Sequence, residues 1–103
     1  MISVTTETIP NKEIKEVLGI ARGTMINSKH LGKDIGAGLK SIVGGELKGY
    51  SEMLTEAREI ALKRMEEDAR AKGANAVVGV RLTSSAVAPN VAEMMAYGTA
   101  VVI

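Results

Sequence analysis

Large aromatic side chains are almost missing from this chain: its 103 residues include no Phe and no Trp, and Tyr50 and Tyr97 are the only tyrosines. Such rings normally supply much of the buried area in a small core. A chain of this length buries roughly two-thirds of its unfolded surface, enough for one modest core and one domain over residues 1–103. The apolar content, 46%, is ordinary, but it comes from Ala, Val, Ile, Leu and Met. Burial must therefore be gained in some other way, and association with copies of itself is one such route. The expected working form is a homo-oligomer.

Several function classes drop out on composition. With no cysteine there is no disulfide framework and no thiolate metal site, which fits a reducing compartment. The opening MISVTTETIPNKEIK lacks the basic segment followed by an apolar stretch of a secretory signal. No apolar run approaches the roughly 20 residues that span a bilayer. The expected location is the cytoplasm, without membrane association. Net charge is +1, with no basic stripe and no stacking aromatics, so a nucleic-acid partner is not expected.

The pattern of apolar residues predicts one alternating domain. Residues 2–8, ISVTTET, are rich in β-branched side chains and stop at the Pro10-Asn11 turn signal. Residues 13–26 form a second strand, with bulky groups at even positions such as Leu18, Ile20 and Ile26. Gly19, Ala21 and Gly23 make a smooth opposite face on which a helix can lie. Asn27-Ser28 offers an N-cap for a first helix through Leu31, Ile35, Leu39 and Ile42, ended by Gly44-Gly45. Residues 46–72 are a long amphipathic helix with Leu47, Tyr50, Leu54, Ala57, Ala61, Met65 and Ala69 on one face. Its outer side offers Glu59–Lys63 and Glu66–Arg70 as i,i+4 pairs. Residues 75–87 and 91–103 are two strands joined at Ala88-Pro89-Asn90, short enough for an antiparallel hairpin. The expected fold class is α+β, in the order β-β-α-α-β-β, with helices packed on a largely antiparallel sheet.

Two glycine-bearing stretches invite a phosphate-binding reading, and both fail on topology. In RAKGANAVVGVRL, residues 70–82, the order is helix, glycine, strand, whereas a dinucleotide turn needs strand, glycine, helix. Gly73 is better placed as a helix C-cap, with Arg70 and Lys72 at the negative end of the dipole. Gly79 reads as a strand glycine that permits close approach. In GKDIGAGLKSIVGG, residues 32–45, Leu39 stands where a phosphate loop requires Gly before Lys40. The Gly44-Gly45 junction is the better anion candidate, because it would leave the N–H groups of Glu46, Leu47 and Lys48 free.

Catalytic constellations are scarce. His30 is the sole histidine, which excludes a triad or a multi-histidine metal site within one chain. His30 and Asp34 lie at i,i+4 and are the best local pair for a metal or acid–base role. Met94 and Met95 are adjacent on a strand and point to opposite faces, so they cannot chelate together. Glu93 and Arg81 are placed to pair across the hairpin.

Four segments, LGIARG (18–23), IVGGELKGY (42–50), AKGANAVVGVR (71–81) and YGTAVVI (97–103), resemble the YbjQ-like family of small bacterial and archaeal proteins. The resemblance runs over essentially the whole chain. It implies β-α-β-β units of the dodecin-subunit class, assembled as pentameric rings, and a heavy-metal-binding label. No catalytic activity is established for that family, so no catalytic residue carries over, and GANAVVGVR and GTAV take structural roles. The label sits poorly on a chain with no Cys and one His, since soft ions prefer thiolate and imidazole. A ring could still repeat one carboxylate or histidine five times around its axis.

Three functions remain open. The first is a homo-oligomeric, pentameric module that binds a small ligand or partner, with no cofactor and no catalysis. The second is an oligomeric metal-binding protein using His30, Asp34 or an axial carboxylate ring. The third is an enzyme whose site is assembled between subunits.

Overall fold

The computed structural model describes residues 1–27, 42–43, 46–88 and 91–103. Within them the chain forms β1 (Ile2–Ser3), β2 (Glu16–Asn27), β3 (Ile42–Val43), β4 (Glu46–Leu47), α1 (Lys48–Ala71), β5 (Ala76–Ala88) and β6 (Val91–Val102). The expected first helix, with Leu31, Ile35 and Leu39, lies outside the described residues. Its last apolar position does not extend it: Ile42 belongs to β3 and pairs with Leu47 of β4. Among the described residues no helix is long and apolar enough to cross a membrane.

The main sheet has the order β1-β5-β6-β2. β5 and β6 form the expected antiparallel hairpin, and β2 runs antiparallel along the other side of β6. β1 is parallel to β5, which makes the sheet mixed. The strand expected over residues 2–8 is cut short after Ser3 because the chain there follows a bulge. The Val4 amide donates to the Val77 carbonyl and the Val80 amide to that of Val4, while the Gly79 amide donates to the Thr6 carbonyl. The Pro10-Asn11 turn forms as expected, with Asn11 left-handed (φ 64°) between the bridged Ile9 and Lys12.

α1 lies over β2 and β6. Its buried ridge is Ala57, Ala61, Met65 and Ala69, flanked by half-buried Leu54 and Leu62. These small side chains meet Ala21, Ala96 and Ala100 of the sheet. At Gly23 the helix is so close that a Cβ would overlap the Ala61 carbonyl oxygen and the Met65 amide nitrogen. The helix ends as its sequence predicts: Gly73 is left-handed (φ 90°), its amide donates to the Arg70 carbonyl, and the Ala74 amide donates to that of Ala69. That is the paired bonding of a Schellman cap.

Two strand glycines behave otherwise than expected. Gly19 does not lie under the helix; a register break between Val17 and Gly19 leaves it exposed and left-handed (φ 103°). Leu18 turns inward onto the core in its place. Gly79 admits no close neighbour but supplies a left-handed residue (φ 63°) to the bulge between Val78 and Arg81. The close approach belongs to Gly98 across the hairpin, where a Cβ would stand 2.7 Å from Val77 Cγ1 and 2.9 Å from the Val78 carbonyl. A second small core, Ala76, Val78 and Val101, sits beneath Val4, Ile9, Ile14 and Ile103.

Candidate functional site

Alternation along β2 and β6 gives the sheet two unlike faces. The face toward α1 carries Ala21, Gly23, Met25, Met94, Ala96 and Ala100. The opposite face carries Val17, Ile20, Ile26, Met95 and Tyr97. Residues 4–15 cover its β5 end, and the remainder has no cover: Val17 is 65% exposed, Ile20 59%, Ile26 58% and Tyr97 39%. Small side chains are therefore buried and large ones exposed, the reverse of the usual distribution.

Beside this face opens a concavity of about 410 Å³ whose walls include Glu7, Ile14, Val17, Val78, Arg81 and Thr99. Its lining mixes the apolar Ile14, Val17, Val78 and Val101 with Thr99 and the charged Glu7 and Arg81. Arg81 is held by its own surroundings, with Nη1 donating to the Thr5 carbonyl at 2.9 Å and to that of Val80 at 2.8 Å. It does not meet Glu93. The β5 bulge sets Arg81 opposite Tyr97 and leaves Ser85 opposite Glu93, which removes the expected cross-hairpin pair. Further along, Ile20, Arg22, Met95 and Tyr97 line a shallower, more open hollow of about 270 Å³.

On the helix side a smaller cavity of about 40 Å³ lies between the first half of α1 and the sheet, lined by Met25, Met53 and Met94 among others. As expected, Met94 and Met95 face apart: Met94 is buried under α1, and Met95 lines the hollow on the far face. β2 forms one edge of the main sheet, and α1 reaches its backbone at two places. Asp68 of α1 accepts from the Arg22 amide at 3.0 Å and from Lys72 Nζ at 2.9 Å. The Lys72 hydrogen bond, then the Arg22 amide, holds the Asp68 carboxyl below its ordinary pKa. Arg64 Nη1 donates to the Thr24 carbonyl at 2.7 Å. The expected Glu59–Lys63 and Glu66–Arg70 pairs do not close among the described residues; Glu66 accepts from Ser3 Oγ at 2.6 Å instead.

Of the residues singled out for metal or anion binding, His30, Asp34, Gly44 and Gly45 lie outside the described residues. Glu46 and Leu47, expected to offer free amides at a helix N-terminus, are strand residues paired with Val43 and Ile42. Among the described residues no three His, Cys, Asp or Glu side chains are grouped to hold a metal ion. The methionine cluster escaped sequence reasoning because its members come from three separate elements. The signal available was only that Met25 and Met94 fall on strands and Met53 on a helix.

A family model described as "Putative heavy-metal-binding" matches residues 1–103. A UPF0145 protein of Clostridioides difficile (strain 630) is 62% identical over 103 residues, covering 100% of this chain and 92% of its own. Another, from Vibrio parahaemolyticus, is 57% identical over 101 residues, covering 98% of this chain and 96% of its own. A crystal structure of a protein of unknown function of the DUF74 family, from Pediococcus pentosaceus, superposes with a TM-score of 0.67. It covers 100% of this chain and 97% of its own at 14% identity, a likeness of fold.

Proposed function

The chain belongs to the YbjQ family of UPF0145 proteins, and on that premise we propose that it works as a self-associating binding module whose sites lie where copies meet. The observation that carries this reading is the uncovered sheet face of Val17, Ile20, Ile26 and Tyr97. Fully burying a side chain of this kind contributes about 1.5–3 kcal/mol, so covering this face offers a large gain to a fold whose own core is mostly alanine.

A second copy is the natural cover because the face is apolar without being strongly charged, and on the edge strand β2 the Arg22 amide and the Thr24 carbonyl are already bonded to Asp68 and Arg64. Those two bonds disfavour edge-to-edge pairing at the middle of β2 and leave the face as the larger apolar surface for contact. The resemblance noted in the sequence implies a ring of five. The concavity between Glu7 and Arg81 adjoins that contact and suits a small ligand with an apolar body and one charged group.

Size-exclusion chromatography with light scattering tests the reading. The expected mass is five times the 10.8 kDa chain; a single-chain mass at micromolar concentration overturns it.

A further inference from the structure

We propose that Met25, Met53 and Met94 form a thioether site for a soft monovalent cation, Cu(I) or Ag(I). The register pairs Met25 of β2 directly with Met94 of β6, which sets their Cβ atoms about 4.5–5.5 Å apart on the face beneath α1. Met53 descends from the helix onto the same cavity, and Leu54 and Ala57 complete its apolar wall. Three methionines from three elements thus line one cavity.

Methionine is also the usual filler of irregular gaps in a core. Here three of these adaptable side chains meet and still leave about 40 Å³ between them. That space exceeds what one water needs, yet hydrocarbon and sulfur dominate its walls. A hard cation would surrender its water shell for almost no oxygen ligands, whereas thioethers select Cu(I). Glu93 borders the cavity next to Met94 in β6, but alternation turns its side chain to the opposite face with Ile26, so the donors on offer are the thioethers. The site needs neither cysteine nor histidine, so the composition that argues against thiolate and imidazole ligation leaves it intact. It lies within one chain and does not depend on the self-association proposed above.

The test is competition for Cu(I) between the full-length protein and bicinchoninate, under anaerobic ascorbate. The wild type is expected to retain one Cu(I) per chain. Met25→Leu, Met53→Leu and Met94→Leu should each weaken retention at least tenfold, and the triple variant should abolish it. Leucine conserves volume, and far-UV circular dichroism checks each fold; if the triple variant unfolds, the three single variants decide. Met65→Leu, Met95→Leu and His30→Ala should leave retention unchanged, and X-ray absorption of the copper-loaded protein should show a sulfur shell. The proposal is overturned if the wild type yields all its copper to the chelator. It is equally overturned if the folded Met→Leu variants retain copper as the wild type does, or if His30→Ala releases it.

Discussion

Gly23 and Gly98 are places where a single methyl group has nowhere to go. At Gly23 the obstacle is helix backbone, the Ala61 carbonyl and the Met65 amide, which cannot yield without lifting α1 off β2. At Gly98 it is the Val77 side chain and the Val78 carbonyl, fixed by the bulge that Gly79 permits. Overpacking a close-packed site typically costs about 1–3 kcal/mol, and more where only backbone can move. Gly23→Ala is therefore expected to destabilise by about 3 kcal/mol or more and Gly98→Ala by about 1–3 kcal/mol, read from urea unfolding midpoints. Equal midpoints for Gly23→Ala and wild type would mean the helix does not lie where described. The closeness at Gly23 was legible in the sequence, because Ala21 and Gly23 alternate with bulky neighbours. The role of Gly19 was not: the break beside Leu18 changes which residues share a face, and strict alternation cannot show a bulge.

Elements with a strong period were legible; their outer-surface partners were not. The apolar spacing of residues 46–72 matches the buried ridge of α1 from Ala57 to Ala69 with Leu54 beside it, though Leu47 at its start lies in β4, and Gly73 marks its end. The expected ion pairs along that helix failed because Glu66 meets Ser3 of β1 and Asp68 meets the edge of β2. Those partners are 63 and 46 residues away in sequence, where helical spacing carries no information. Asp68 gives this a measurable consequence. Its folded-state pKa is lowered, chiefly by Lys72 and then by the Arg22 amide. Its contribution is therefore complete above the unfolded carboxylate pKa of about 3.9 and is lost as pH falls through the lower folded value. Asp68→Asn should cost about 1 kcal/mol at pH 7, since the pair is partly solvated. The difference from wild type should shrink below about pH 4. Chemical denaturation across pH 2–7 measures both; a gap that widens with acid would reverse the sign and refute the assignment.

At the scale of the molecule, the lack of large rings shows, among the described residues, as a core rich in alanine with Met65, Val77 and Val101 as the largest fully buried side chains. Sequence reasoning reached that shortage of burial but could not place the uncovered surface, because Ile20, Ile26 and Tyr97 read as ordinary strand positions until the helix is seen to take the other face. A chain that leaves its larger apolar groups outside should draw stability from association, and association makes stability depend on concentration. The thermal midpoint of the wild type is expected to fall by several degrees for each tenfold dilution in the micromolar range. The double variant Ile20→Lys, Tyr97→Lys puts two like charges on the proposed contact without touching the core, since both positions are exposed in the single chain. It should elute as a single chain, melt below the wild type, and show a midpoint that no longer moves with concentration. Differential scanning calorimetry over a hundredfold concentration range reads both curves. A wild-type midpoint that stays fixed across that range would show that the alanine core is sufficient by itself, and the exposed sheet face would no longer argue for a second copy.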